Sequence, residues 1–367
     1  MTKSINTRGQ YQAAMSRNLG LDLLRAFAIL TVLLGHTVSS FGSPSALAPL
    51  QFGGTGVDLF FVLSGWLIGT QLFKEQHKFG DVDITRFWLR RWMRTLPAYY
   101  AVLSLTLVQL FLTKTDFRMP WQHLLFLQNY TGNLSVFFVS WSLCVEEQFY
   151  LFIAPFVAVL MARSVRARLP AIVILLLLPT IFRSLGFYDS MHETHVRMDC
   201  CVMGILLAYL SVNRKEIYDR LAQGAYPLLI LSSGLYVSFI VDRYVDLPGI
   251  ASPSPLLLAV VFGSWVLWAG SRDWQTNSFV GAAILHISTR SYAMYLLHVD
   301  ALAVVKRIDA DLSFPLYLGM AFVLTLLAAE ILYRVIEKPF MMWRSNFSAS
   351  RSREQGLFHT DAAEAKS

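Results

Sequence analysis

Long apolar runs alternate with short polar connectors along this chain. The runs fall at 19–38, 53–73, 96–113, 140–160, 169–186, 197–212, 225–241, 255–270, 279–298 and 315–336. A helix needs about 20 apolar residues to cross a bilayer. The pattern therefore predicts an all-α polytopic membrane protein with about ten transmembrane helices. Residues 1–18 and 345–367 are polar; the transmembrane domain is expected over 19–339, with a cytoplasmic, disordered tail over 340–367. The first segment is polar and no small-residue cleavage site follows it, so no cleavable signal is expected. The segment 84–95, with ITRFWLRRWMR, is short, aromatic and basic, and predicts a helix lying in the membrane interface. The loop 114–139, with MPWQHLLFLQNY, is expected on the outer surface.

Composition agrees with the pattern. The chain is 55% hydrophobic and only 15% charged, where soluble domains carry roughly a quarter charged residues. The placement of its 31 Lys and Arg fixes an orientation. With both termini on one side, residues 1–18 and the connectors 74–95, 161–170, 213–224, 271–278 and 337–367 hold 21, and the opposite connectors hold 5. Positive charge accumulates on the inner side, so both termini are expected in the cytoplasm. The net charge of +7 then reports topology and contact with anionic headgroups, which argues against nucleic acid. Cys144, Cys200 and Cys201 lie in apolar runs without metal-type spacing. They read as buried small hydrophobes, and no metal is expected.

Several ionisable residues interrupt the runs: Arg25, Arg183, Arg197, Arg290 and Arg334, with Asp22, Asp58, Glu146, Glu147, Asp199 and Glu330. Each costs about 2.5–3.5 kcal/mol near the bilayer centre, so the set predicts a polar cavity. In LDLLRAFAILTVLLGHT, Arg25 and His36 are about three helical turns apart, within about 20° of one face and about 16 Å along it. His36 is the candidate general base. Asp58, at similar depth, is the first candidate for orienting it, with Glu146 or Glu147 behind. Ser142, Glu146 and Tyr150 share one face of WSLCVEEQFYLF, and Ser291 and His298 share a face of SYAMYLLH. The inner arginines Arg86, Arg90, Arg91 and Arg94 suit a phosphate-bearing donor. The outer carboxylates, tyrosines and histidines suit a hydroxyl-rich acceptor.

Six stretches in order, LDLLRAFAILTVLLGH, GVDLFFVLSGWLIG, RFWLRRWMRTLPAYY, WSLCVEEQFYLF, SYAMYLLH and EKP, cover residues 19 to 339. Together they resemble the membrane-bound acyltransferase 3 family. The resemblance implies ten transmembrane helices in the bacterial inner membrane and transfer of an acyl group, usually acetyl from cytoplasmic acetyl-CoA. The implied acceptor is a carbohydrate or lipid-linked glycan: exopolysaccharide, O-antigen, nodulation oligosaccharide or macrolide sugar. It makes His36 the essential histidine and Arg25 its motif partner, with the CoA nucleotide near Arg86, Arg90, Arg91 and Arg94. Trp141, Tyr150, Tyr295 and His298 are expected to face the acceptor. The resemblance is to stand-alone members, which engage the acceptor directly. Two alternatives stay open: a covalent acyl-enzyme on His36, Ser64 or Cys144, and a transporter of a sugar or acyl compound. Oligomeric state is not legible.

Overall fold

Asn18 starts the first long helix, its side-chain oxygen accepting the Leu21 N–H at 3.2 Å. The computed structural model describes residues 18–113, 118–132, 134–244, 253–272, 274, 278–309 and 311–344. The expectations for residues 1–17 and for the tail after 344 lie outside the described residues. Among the described residues there is no strand. Among the described residues ten longer helices carry the fold: α1 Leu19–Ser40, α2 Gly56–Phe79, α3 Ile84–Thr113, α4 Ser140–Ala162, α5 Val165–Ser184, α6 Asp199–Asn213, α7 Ala225–Tyr244, α8 Pro255–Gly270, α9 Phe279–Ile308 and α10 Phe314–Leu332. Each expected span falls on one of them. Seven helical segments are long and apolar enough to cross a membrane, while α6 and α8 are apolar but shorter. Outward side chains such as Leu105, Phe111, Leu112, Ile174 and Leu231 are exposed, an apolar surface that a bilayer would cover. The chain is a multi-pass membrane protein.

The tightest packing joins α2 to α6. Gly65 and Gly69 stand one turn apart on α2, facing Gly204 and Ala208 on α6. A Cβ at Gly65 would fall on the Cys201 carbonyl oxygen, and one at Gly204 on that of Val62. Small residues at this spacing let two helix backbones approach where lipid supplies no hydrophobic drive. The glycine-rich start of the second span serves the same end. Ser45–Thr55 forms a 3-10 turn, and a Cβ at Gly53 would meet the Thr31 carbonyl of α1. The three cysteines are buried, as expected.

Three expectations are corrected. The segment 84–95 is no separate interfacial helix; it is the first two fifths of α3, which runs unbroken for 30 residues. Its start is drawn into the bundle by specific partners. Arg86 pairs with buried Glu75 of α2, Trp88 Nε1 donates to the Tyr150 carbonyl at 3.1 Å, and Tyr292 Oη donates to the Thr95 carbonyl at 2.8 Å. The loop after α3 is no mere surface strap either. Its His123, Gln128 and Asn129 are buried. Tyr99 Oη donates to the His123 carbonyl at 2.8 Å and Gln148 Nε2 to the Phe126 carbonyl at 2.6 Å. Finally, the helical domain does not stop at 339. A π-helical turn, Tyr333–Glu337, leads into a short helix, Lys338–Arg344, which packs on α3.

Candidate active site

A cavity of about 310 Å³ lies between α1, α2, α3, α4, α9 and the Lys338–Arg344 helix. That size suits a small-molecule ligand. It follows α2 from Val57 to Gln71, about 21 Å of helix rise, so it is elongated. Among the described residues five arginines line it, Arg25, Arg90, Arg91, Arg94 and Arg344, with one acid, Glu146. Ser64, Thr95, Ser142, Ser291, Tyr150, Tyr292 and Tyr295 add hydroxyls.

Most of the intramembrane charges expected to build a cavity are instead paired with one another. Asp58 accepts Arg197 Nη2 at 3.0 Å. Asp199 receives both terminal nitrogens of Arg183 at 2.8 Å each. Glu330 holds Arg290 and Arg334, and Asp22 accepts Arg25 Nη1 at 3.3 Å and the Ser288 hydroxyl at 2.6 Å. Of that set, only Arg25 and Glu146 reach the cavity lining.

The remaining cations are different. Arg91, Arg94 and Arg344 form no direct ion pair among the described residues. Arg91 lies over the Tyr150 ring with its guanidinium carbon 5.7 Å from the centroid. Glu146 approaches Ser64, Tyr150, Arg91 and Arg94. A cluster of positive charge with one acid, inside a bundle, is stabilised by an anion.

Beyond Tyr295 stands a pair of imidazoles. His36 Nδ1 is 2.7 Å from His298 Nε2, and His298 Nδ1 is 2.7 Å from the Tyr295 carbonyl oxygen. The rings lie within 23° of coplanar with centroids 4.9 Å apart, the edge-to-edge arrangement of a hydrogen bond between rings. A carbonyl can only accept, so His298 carries its proton on Nδ1. Its Nε2 is then the acceptor, and His36 donates from Nδ1. The lone pair of His36 is thereby directed to Nε2. The Tyr295 ring, 5.6 Å from that of His298, connects the pair to the cavity wall.

Asp58 therefore does not orient His36. Arg197 claims it, because a buried carboxylate is stabilised far more by a guanidinium than by a neutral imidazole. Glu147 does not orient His36 either: it accepts the Thr95 hydroxyl at 2.7 Å, and its second oxygen is buried without a partner. Glu146 and Tyr150 were expected at the outer pole; they sit against Arg91 at the arginine end. The antiparallel fit of α3 and α4 sets Arg91 and Thr95, in the first half of α3, beside Tyr150 and Glu147 in the middle of α4. Arg86 is not a cavity residue, being neutralised by Glu75. Trp141 carries Arg197 over its ring at 5.4 Å and does not line the cavity. The polar lining residues missed from sequence are Arg344, Tyr292, Thr95 and Gln71. Arg344 closes the short stretch FMMWR after EKP, too brief to show a helical period.

The acyltransferase domain family matches residues 18–334 of this chain. A provisionally named O-acetyltransferase of Staphylococcus aureus (strain MRSA252) is 27% identical over 374 residues, covering 89% of this chain and 59% of the relative. The O-acetyltransferase OatA of Staphylococcus aureus (strain NCTC 8325) is 25% identical over 385 residues, covering 92% of this chain and 60% of the relative. The chain thus spans about 60% of the length of these relatives. No solved structure matches it.

Proposed function

The chain belongs to the acyltransferase domain family, and from that premise we propose that it moves an acetyl group from acetyl-CoA to a hydroxyl of a carbohydrate or lipid-linked glycan. The carrying observation is the cavity lined by Arg25, Arg90, Arg91, Arg94 and Arg344 against a single acid. An acyl donor bearing several phosphates answers that charge. On the topology expected from the basic connectors, the arginine end faces the cytoplasm of a bacterium, where acyl-CoA is made, and the enzyme sits in the inner membrane. The imidazole pair then stands toward the acceptor.

The reaction follows from these positions. His36 Nε2 removes the proton of the acceptor hydroxyl, and its oxygen attacks the thioester carbonyl. The carbon–sulfur bond breaks, and the leaving sulfur takes the proton back from the imidazolium as CoA-SH. General-base help of this kind is worth about 10²–10⁴-fold. Direct transfer is favoured over an acyl-enzyme at Ser64 or Cys144. The Ser64 hydroxyl bonds Tyr150 at 2.6 Å and approaches Glu146, so it lacks the imidazole that commonly activates a serine nucleophile. Cys144 is fully buried.

The test is purified protein in proteoliposomes, supplied with labelled acetyl-CoA and a glycan acceptor. Wild type should release CoA-SH and label the glycan; His36→Ala should do neither while eluting as a folded protein. Labelled glycan formed normally by a folded His36→Ala would overturn the assignment. A transporter would instead move sugar across the vesicle with the thioester intact.

A further inference from the structure

We propose that the short helix Lys338–Arg344 is part of the donor site and that Arg344 binds the phosphate-bearing end of the donor, an inference that rests on the acyl-CoA reading above. The family match ends at residue 334, and this helix begins after it, so nothing in the match assigns the helix a role. The π-helical turn Tyr333–Glu337 lies between α10 and this helix, within one helical run Phe314–Arg344, and Pro339 is the second residue of the helix. Pro339 has no N–H to continue the α-helical ladder, and wide turns of this kind recur at functional sites. The Lys338–Arg344 helix packs against α3. Arg90 Nη1 donates to the Arg344 carbonyl at 3.3 Å, and the Arg344 side chain enters the cavity wall.

That position is electrostatically unfavourable by itself. The charges closest to Arg344 are Arg94, Arg91 and Arg90, and it forms no direct ion pair among the described residues. Like charges gathered this closely repel one another, and an anion among them reverses the sign of the interaction. Arg344 also sits on a different element from the other three. An anion between them would therefore tie the Lys338–Arg344 helix to α3, and donor binding would close that end of the cavity.

Phosphate could come from the donor or from a lipid headgroup; the geometry, with the side chain inside the cavity, favours the donor. The experiment measures acetyl-transfer kinetics for wild type, Arg344→Ala and Arg344→Lys in nanodiscs of phosphatidylcholine alone. Acetyl-CoA is compared with acetylpantetheine, which lacks phosphate. CoA binding to the same proteins is read by thermal shift. Arg344→Ala should raise KM for acetyl-CoA about tenfold or more, as expected for one lost charge-assisted contact. It should leave kcat within about twofold, leave acetylpantetheine unaffected, and shrink the CoA-induced thermal shift; Arg344→Lys should recover part of each. Unchanged KM in Arg344→Ala, or an equal rise for both donors, would overturn the inference. So would an effect that appears only when anionic lipid is added, which would assign the contact to a headgroup. If wild type neither binds CoA nor uses acetyl-CoA, the acyl-CoA reading itself falls, a result distinct from normal wild-type turnover with an indifferent Arg344→Ala. Should Arg344→Ala fail to fold, the KM ratio between the two donors in Arg344→Lys decides.

Discussion

His36 and His298 share one hydrogen bond, Nδ1 to Nε2 at 2.7 Å, and the backbone carbonyl of Tyr295 sets its direction. Two residues 262 positions apart thus act as one unit, with a single basic nitrogen presented by His36. On the proposed mechanism His298 is a positioning residue that acts through His36, where it was expected to face the acceptor.

This arrangement makes His298→Gln and His298→Ala behave differently. A glutamine oxygen can still accept from His36 Nδ1; alanine leaves that donor unmatched. Leaving a buried donor unsatisfied costs about 1–3 kcal/mol, so His298→Ala should lose about 10- to 100-fold in kcat. His298→Gln should recover much of it, and the acid limb of the pH–rate profile should move in both. A merely structural role would alter thermal stability without moving that limb.

Arg86 and Arg91 should separate stability from donor binding. Breaking the buried Arg86–Glu75 pair leaves an uncompensated carboxylate, a loss of about 3–5 kcal/mol. Arg86→Ala should therefore lower Tm sharply, with an unchanged KM for acetyl-CoA in whatever protein survives. Arg91→Ala should do the reverse, and its KM effect should vanish with acetylpantetheine. KM measured beside thermal unfolding in detergent checks both.

Asp58 belongs with the structural pairs. Asp58→Ala should destabilise the bundle by leaving Arg197 buried and alone, again by about 3–5 kcal/mol. In Asp58→Asn, whose shape and one acceptor are retained, the pH–rate profile should match that of the wild type. A shifted acid limb would restore Asp58 to the catalytic unit.

Gly65→Ala should be costly although the change is one methyl group. The Cβ meets backbone, which cannot swing aside as a flexible side chain would. Overpacking of this kind costs about 1–3 kcal/mol. Gly234→Ala, where a Cβ meets nothing, is the control and should leave Tm unchanged or higher. Thermal unfolding of the two variants in one detergent compares them.

Acid should destabilise the end of the bundle opposite the arginines. Burial, and then the nearby Arg197 cation, hold His192 below the ordinary imidazole range; burial does the same to His123. Both stay neutral in the folded protein at pH values where the unfolded chain binds a proton. Their contribution is complete above the unfolded value of about 6.5 and is lost as pH falls below it. Tm should drop between pH 7.5 and 5.5, taken here as roughly one unit either side of that value, and His192→Gln should flatten the drop.

Apolar run length by itself determined the helices, because a segment that must satisfy its backbone within lipid has few alternatives to an α-helix. His36, Arg25, Arg90, Arg91 and Arg94 were legible too: charge at membrane depth is costly enough to demand a reason. Their partners were not. Asp58 could have served His36 or Arg197, and only the placement of α6 beside α2, set by Gly65 and Gly204, put Arg197 within reach. His298 was visible as a residue but not as a neighbour of His36, since α1 and α9 meet only in three dimensions. Arg344 was beyond sequence reading altogether. A seven-residue helix carries too little periodicity to announce itself, and its place at the cavity comes from packing on α3 after the last apolar run.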